Sequence, residues 1–191
     1  MKRFALVTGI LALVAPLALA QASTWTSDTA HSEVDFTIRH LSVSNVHGRI
    51  GKVAATLHLN ETDITKSTVT ATIDVTTIDT GEPARDTHIK SPDFFDVAKF
   101  PAATFESTSV VKGGSGLTVT GNFTLHGVTK PVVLDVDGPS GPALGMDHKP
   151  HSGFTATTTI SRTAFGIGAK FPDAIVGDAV KLTIEVEVVK Q

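Results

Sequence analysis

The segment VKLTIEVEV, Val180 to Val188, alternates without a break. Val180, Leu182, Ile184, Val186 and Val188 fall on one side, and Lys181, Thr183, Glu185 and Glu187 on the other. Successive side chains of an extended chain point to opposite faces, so this is a β-strand with one buried and one wet face. The pattern recurs upstream. Val34, Phe36 and Ile38 alternate with Asp35, Thr37 and Arg39, and Val53, Ala55, Leu57 and Leu59 with Ala54, Thr56 and His58. Val69, Ala71, Ile73 and Val75 form a third inward set, and Leu117, Val119, Gly121, Phe123 and Leu125 a fourth. Weaker alternation over Ala103–Val111, Val128–Val136 and Phe154–Ile160 brings the expected number of strands to eight. Gly113–Gly116 and His126-Gly127 supply tight hairpin turns. Strands joined by hairpins predict an all-β antiparallel sandwich or barrel rather than a parallel α/β fold. The stretch from Gly138 to Gly153 reads as a long polar, mobile loop.

One stretch breaks the period. ARDTHIKSPDFFDVAKFPAATF, Ala84 to Phe105, carries four of the ten Phe residues and opens with Arg85, Asp86 and His88. Ser91, Pro92 and Asp93 have the order of an N-cap, a first helical proline and a first-turn acid, which predicts a short helix carrying Phe94 and Phe95. Phe100-Pro101 ends it, because a residue before proline avoids the helical region. Gly81-Glu82-Pro83 opens another short turn upstream, with Asp86 and Lys90 one turn apart. The insert is a helical plug between the third and fourth strands, and an open barrel end is the natural place to bury its aromatic side.

The N-terminus has the layout of a secretory leader. Lys2 and Arg3 precede a run from Phe4 to Leu19 that is apolar but for Thr8, Gly9 and Pro16, and Ala18-Leu19-Ala20 and Ala20-Gln21-Ala22 are small-residue cleavage sites. A cleavable segment over residues 1–22 and a barrel domain over 23–191 follow, with the mature chain starting near Gln21 or Ser23. No later run approaches ~20 apolar residues, so the mature chain is expected to be soluble, without stable membrane insertion. Removing Lys2 and Arg3 from the 16 basic residues leaves 14 against 19 acidic ones. That balance lacks the basic stripe that nucleic acid requires. With no cysteine, the chain has neither a disulfide nor a lipidation site, and its core alone must hold it together. The periplasm is the expected compartment.

The chemistry-bearing residues are few. The inward faces mix large residues (Phe36, Leu57, Phe123, Leu182) with small ones (Ala55, Ala71, Gly121, Ala156). An eight-stranded barrel is either just filled by such side chains or holds one small ligand, and composition leaves both readings standing. Arg85 and Asp86 are candidate anchors for a ligand head group at the barrel mouth, or else a surface ion pair. Arg162, in ISRTAFGIG (Ile160 to Gly168), is a rim candidate or a solvated charge. The eight histidines show no metal-ligand spacing, and His148 and His151 fall in the polar stretch. No nucleophile elbow or phosphate loop is present.

Four stretches together resemble the YceI-like family. They are Asp28–Ile50, Thr80–Ser107, Val119–Val136 and Ile160–Gly168, in the family's order and through nearly all the mature chain. The most specific is Arg85-Asp86-x-His88-x-x-Ser91-x-Asp93-Phe94-Phe95-Asp96; the hairpin from Leu125 to Pro131 is next. Ile89 stands where Leu is usual and Phe100 where Tyr is common. The resemblance implies an extended eight-stranded antiparallel lipocalin-like β-barrel with a short helical insert and a long apolar channel. It implies binding of polyisoprenoid chains and related amphiphiles; no cofactor is expected, and the histidine spacing argues against a metal. It places Arg85, Asp86 and His88 near the channel and Phe94, Phe95 and Phe105 in its lining; His40 and Arg162 also match family positions. Combined with the strand faces, the expected apolar lining is Phe36, Ile38, Leu57, Ala71, Ile73, Phe94, Phe95, Phe105, Phe123, Phe154, Phe165 and Leu182. Arg85, Asp86, His88 and Arg162 are the expected head-group residues. An isoprenoid or other long-chain amphiphile is the expected partner, with a homodimer left open. An enzyme acting on such a lipid, with His40 or His88 as its titrating group, and a stress-responsive protein with a filled core are the alternatives.

Overall fold

The computed structural model describes residues 22–114 and 116–191, so the expected leader lies, but for Ala22, outside the described residues. Ten strands form one antiparallel sheet: β1 (Ala22–Ser27), β2 (Glu33–His40), β3 (Ser44–Ile50), β4 (Val53–Asn60), β5 (Thr68–Asp74), β6 (Ala102–Gly113), β7 (Gly116–Leu125), β8 (Val128–Leu144), β9 (Pro150–Ser161) and β10 (Val176–Lys190). The ring β1-β4-β5-β6-β7-β8-β9-β10 closes through β1–β10 pairing, giving an eight-stranded barrel. β2 and β3 continue β1 and β4 rather than adding staves. β10 meets β1 at residues 188–190 and β2 at residues 176–185. The alternation over Val34–Ile38 and Val53–Leu59 therefore belongs to two staves, each broken once. At the top, β3 is tied to the next stave by one isolated bridge, Arg49 with Asp79.

The weak alternation along β6 has a structural cause. Ala103 and Phe105 are buried, and so is Val110, which is out of phase with them. The register shifts between Ser107 and Ser109, a bulge at Thr108 that moves the inward face from odd to even positions. The polar stretch from Gly138 to Gly153 is not a loop. β8 and β9 run through most of it, with register shifts at Asp137/Ser140 and Ser140/Ala143, and only residues 145–149 form the turn. Repeated irregularities in a glycine- and proline-rich pair erase the period while preserving the pairing.

The helix also lies elsewhere than expected. α1 spans Pro83–Lys90, with the Glu82 side chain accepting from Ala84 N and Pro83 opening the first turn. Ser91 ends this helix instead of starting one: its N–H and its Oγ both donate to His88 O. The chain then folds back, so that Phe95 N donates to Ile89 O and Val97 N to Lys90 O. Satisfying the open carbonyls of α1 in this way outweighs a second helix, and Asp96 takes a left-handed φ of 43° to allow it. The insert still sits between the third and fourth staves, β5 and β6.

Candidate functional site

Inside the barrel is a cavity of ≈ 680 Å³, within the range of small-molecule sites. Of the expected apolar lining, Phe36, Ile38, Leu57, Ala71, Ile73, Phe94, Phe95, Phe105, Phe123, Phe154 and Leu182 all face it. Phe165 does not: it is 2 % exposed and packs edge-on against Phe123 with ring centroids 5.6 Å apart, helping to close the barrel end. Phe36, Ala71, Leu182, Ile184 and Val186 are only half-buried although they point inward. A filled core would bury them, so the open lumen decides between the two readings that composition left standing.

Two glycines keep the lumen open. Gly48 pairs with Phe36 across β2 and β3, and a Cβ on Gly48 would strike the Phe36 ring. Gly121 pairs with Ser107, and a Cβ there would strike the Phe105 ring. Each phenyl ring lies along the wall over a residue with no side chain, so a large apolar group covers the wall without crossing the interior.

The insert and the β9–β10 connection cover the top end. Phe94 stacks on Phe171 with centroids 4.9 Å apart, and His88 sits edge-on to both rings. Lys170 Nζ and His88 Nε2 hold the two oxygens of Asp93 at 2.5 and 3.1 Å, and these two bonds, Lys170 first, keep its carboxyl below the usual range. Apart from Thr68 at the far end, the exposed lining residues are Arg39, His40, Ala84, His88 and Ile175, all at this end. The mouth therefore lies here. Among the described residues, the ionisable side chains lining the cavity are Arg39, His40, Arg85, His88 and Arg162, and no carboxylate is among them. A chain with an excess of acidic residues thus lines its cavity with bases alone.

These bases are not equivalent. Arg162 is 3 % exposed and gives all five guanidinium donors to backbone carbonyls: Nε to Gly177, Nη1 to Ile167 and Gly168, Nη2 to Phe171 and Val176. It has no donor left for a ligand and is a clamp on the β9–β10 connection, neither a solvated charge nor a head-group reader. Asp86 is also absent from the lining. Its Oδ1 accepts from Thr80 N at 2.9 Å and Thr80 Oγ1 at 2.5 Å. Burial raises its pKa, but these bonds outweigh burial and hold it below the usual range. Arg85 does line the cavity; it donates to Thr80 through Nε and Nη2, which leaves Nη1 for a ligand.

Other lining residues carried little sequence signal. Val46 and Ile50 belong to β3, whose SNVHGRI alternation is legible but short; Phe171 and Ile175 sit in the β9–β10 connection, where no period marks them, and Arg39, which the alternation puts on the outer face, lines the cavity at the end of β2. Outside the barrel, Asp28, His31 and Glu187 bring ligand-type atoms within 4.8 Å of one another. They belong to a surface ion-pair network. His31 Nδ1 lies 2.9 Å from Asp28, and His151 bridges Glu187 at 2.7 Å and Asp147 at 3.0 Å.

Residues 25–188 match the profile of the YceI-like domain. The chain belongs to the YceI-like family. A UPF0312 protein of Vibrio parahaemolyticus is 37% identical over 175 residues, covering 87% of this chain and 89% of that one. The crystal structure of a Campylobacter jejuni YceI protein superposes with a TM-score of 0.71 at 30% identity, over 81% of this chain and 90% of that chain. A domain of Saccharophagus degradans described as polyisoprenoid-binding shares the fold, with a TM-score of 0.62 at 14% identity, over 90% of this chain and all of that one. No helix among the described residues of this YceI-like chain is long and apolar enough to cross a membrane.

Proposed function

We propose that this YceI-like protein is a periplasmic carrier that holds a long-chain isoprenoid or similar amphiphile in its barrel. The observation that carries this reading is an open, almost wholly apolar cavity whose ionisable lining groups, among the described residues, are bases. Each methylene buried there contributes about 0.8 kcal/mol, so several isoprene units outweigh the cost of ordering a flexible tail. The shared fold with a polyisoprenoid-binding domain favours that tail chemistry. An anionic head, such as a phosphate, meets Arg85, His40 and His88 at the mouth, with Arg85 Nη1 as the donor left free by its Thr80 bonds. The protein binds and does not catalyse in this reading. The leader over residues 1–22 is removed on export, leaving one barrel domain over 23–191.

Native mass spectrometry and solvent extraction of purified, exported protein test the proposal. A co-purifying isoprenoid amphiphile with a mature N-terminus near Gln21 or Ser23 supports it. Protein that carries no lipid and acquires none from detergent micelles sinks it. Turnover of the extracted lipid by the protein favours an enzyme.

A further inference from the structure

We infer that the β2–β3 hairpin tip is the element by which the protein docks on a phospholipid bilayer to exchange its ligand. This rests on the carrier reading above. Among the described residues, the large exposed apolar side chains include Leu41 at 47%, Val43 at 76% and Ile175 at 42%. Single exposed apolar residues are ordinary. These three adjoin one another and the cavity mouth. Leu41 N donates to Ile175 O at 2.9 Å, Val43 is two residues on, and Ile175 and His40 themselves line the cavity.

The turn holds two non-glycine residues in the left-handed region. Val43 N donates to His40 O, and the two central residues, Leu41 and Ser42, have φ of 51° and 58°. Such a turn ordinarily takes Asn-Gly, because other side chains are strained at positive φ. An apolar branched residue held there and turned to water suggests a use outside the folded chain. The two arginines beside it, Arg39 and Arg85, suit a bilayer surface. Arg39 reaches under the tip to Ser42 O and Asn45 Oδ1, and His40, Arg85 and His88 stand at the mouth beside it. Of the carboxylates at this end, Asp93 is paired with Lys170 and His88; Asp86, Asp173 and Asp178 accept from the uncharged donors Thr80, Asp178 N and Thr163, and Glu82 and Asp96 lie on the insert. Three exposed apolar side chains beside Arg39 and Arg85 match the acyl region and phosphates of one leaflet. A long isoprenoid rests in a bilayer when free, and docking at the mouth lets it pass in without exposing its tail to water.

The test uses apo mature protein, vesicles of phosphatidylethanolamine with phosphatidylglycerol, and the double variant Leu41→Asn/Val43→Thr. Asn tolerates the left-handed turn, so the hairpin is preserved, and unchanged thermal unfolding verifies this. Parent protein should co-sediment with the vesicles, and the variant should bind them at least about tenfold more weakly. The variant should take up a fluorescent isoprenoid from vesicles more slowly, yet bind the same probe from detergent as tightly as the parent. Leu144→Ser/Met146→Ser, at the opposite end of the barrel, should change neither. The inference is overturned if the parent ignores vesicles, if the tip variant behaves like the parent, or if the far-end control loses as much. It is also overturned if the tip variant converts a dimer to a monomer with vesicle binding intact, since a second copy then covers the tip. Failure of the parent to bind the probe even from detergent refutes the carrier reading, while vesicle sedimentation still decides the docking.

Discussion

Gly48→Ala is the substitution that best probes whether the lumen is a working space. A Cβ at Gly48 would fall 2.6 Å from Phe36 Cε1 and 2.9 Å from Thr80 Cγ2, and closer still to Phe36 Cζ. All three atoms belong to side chains, so the backbone need not move. The ring must swing off the wall, and the cavity is the free space beside it. A phenyl ring occupies roughly 150 Å³ of cavity, taking the size of a void that accepts benzene, or about a fifth of the ≈ 680 Å³ present. That displaces about one isoprene unit, five carbons at about 0.8 kcal/mol each, or about 4 kcal/mol gross. With about half regained because the expelled unit is no longer ordered, the net loss is about 2 kcal/mol, roughly 30-fold in affinity. Titration with isoprenoids of graded length is the assay. Long chains should lose this factor and short ones almost nothing, while stability changes little because Ala is also the better strand residue. The reasoning is refuted if affinity is unchanged at every length, or if the variant loses the about 1–3 kcal/mol of an overpacked core with no effect on binding.

Three further outcomes are expected. Arg85→Ala should weaken an anionic prenyl phosphate by about 1.5–3 kcal/mol, the range for hydrogen bonds to charged groups, and leave the prenyl alcohol nearly unchanged, whereas Phe94→Ala should weaken both alike; paired titrations at fixed salt decide it. Arg162→Ala should destabilise the fold by about 3–5 kcal/mol, as loss of a buried charged partner does, and Arg162→Lys should fail to rescue it, since an ammonium cannot reach five carbonyls; denaturant unfolding is the measurement. His151, raised by its bonds to Asp147 and then Glu187, should support stability fully below about pH 6.5 and lose that support as pH rises through its raised folded value. Asp147, lowered by the Lys149 N–H and His151, acts oppositely: its support holds above its unfolded value and is lost in acid. Melting curves of His151→Gln and parent should therefore converge at alkaline pH and differ most in mildly acid buffer.

The barrel is legible because its evidence lies in period-2 faces, and β10 carries that signal without a break from Val180 to Val188. Where the structure departs from the reading, a specific local event hides the period. The bulge at Thr108 splits the inward face of β6, and the shifts around Ser140 disguise β8 and β9 as a loop. The helix was misplaced because Ser91-Pro92-Asp93 meets the N-cap rule as well as Glu82-Pro83 does. Only the tertiary closure of α1 onto Phe95 and Val97 selects between them. Inward-facing apolar residues could be read from strand phase. The roles of the charged ones could not, because Arg162 finds its five acceptors and Asp86 finds Thr80 only once the connections fold. Phe165 shows the same limit: its aromatic identity fits a lining, but its place in the β9–β10 connection puts it against Phe123, in the barrel end.

If the protein carries the amphiphile proposed above, the polar bonds that fix the covering elements bear on where it would pass. On one side the insert is held by Thr80, which links Arg85 and Asp86 in a chain of hydrogen bonds. On the other it is held by the Lys170–Asp93 pair and the Phe94–Phe171 stack, which Arg162 supports by fixing the carbonyls of Ile167, Gly168 and Phe171. Opening there would break several bonds and expose a buried guanidinium. At the β2–β3 tip, Leu41 N donates to Ile175 O in the β9–β10 connection, and on the side of β3 away from β2 the bridge among the described residues is Arg49–Asp79. The least costly gap is therefore between the hairpin and the insert, where Arg39, His40 and His88 already line an exposed mouth. For the amphiphile proposed above, passage there would lead with the tail, drawn in by the apolar walls, and would leave the head beside Arg39, His40 and His88.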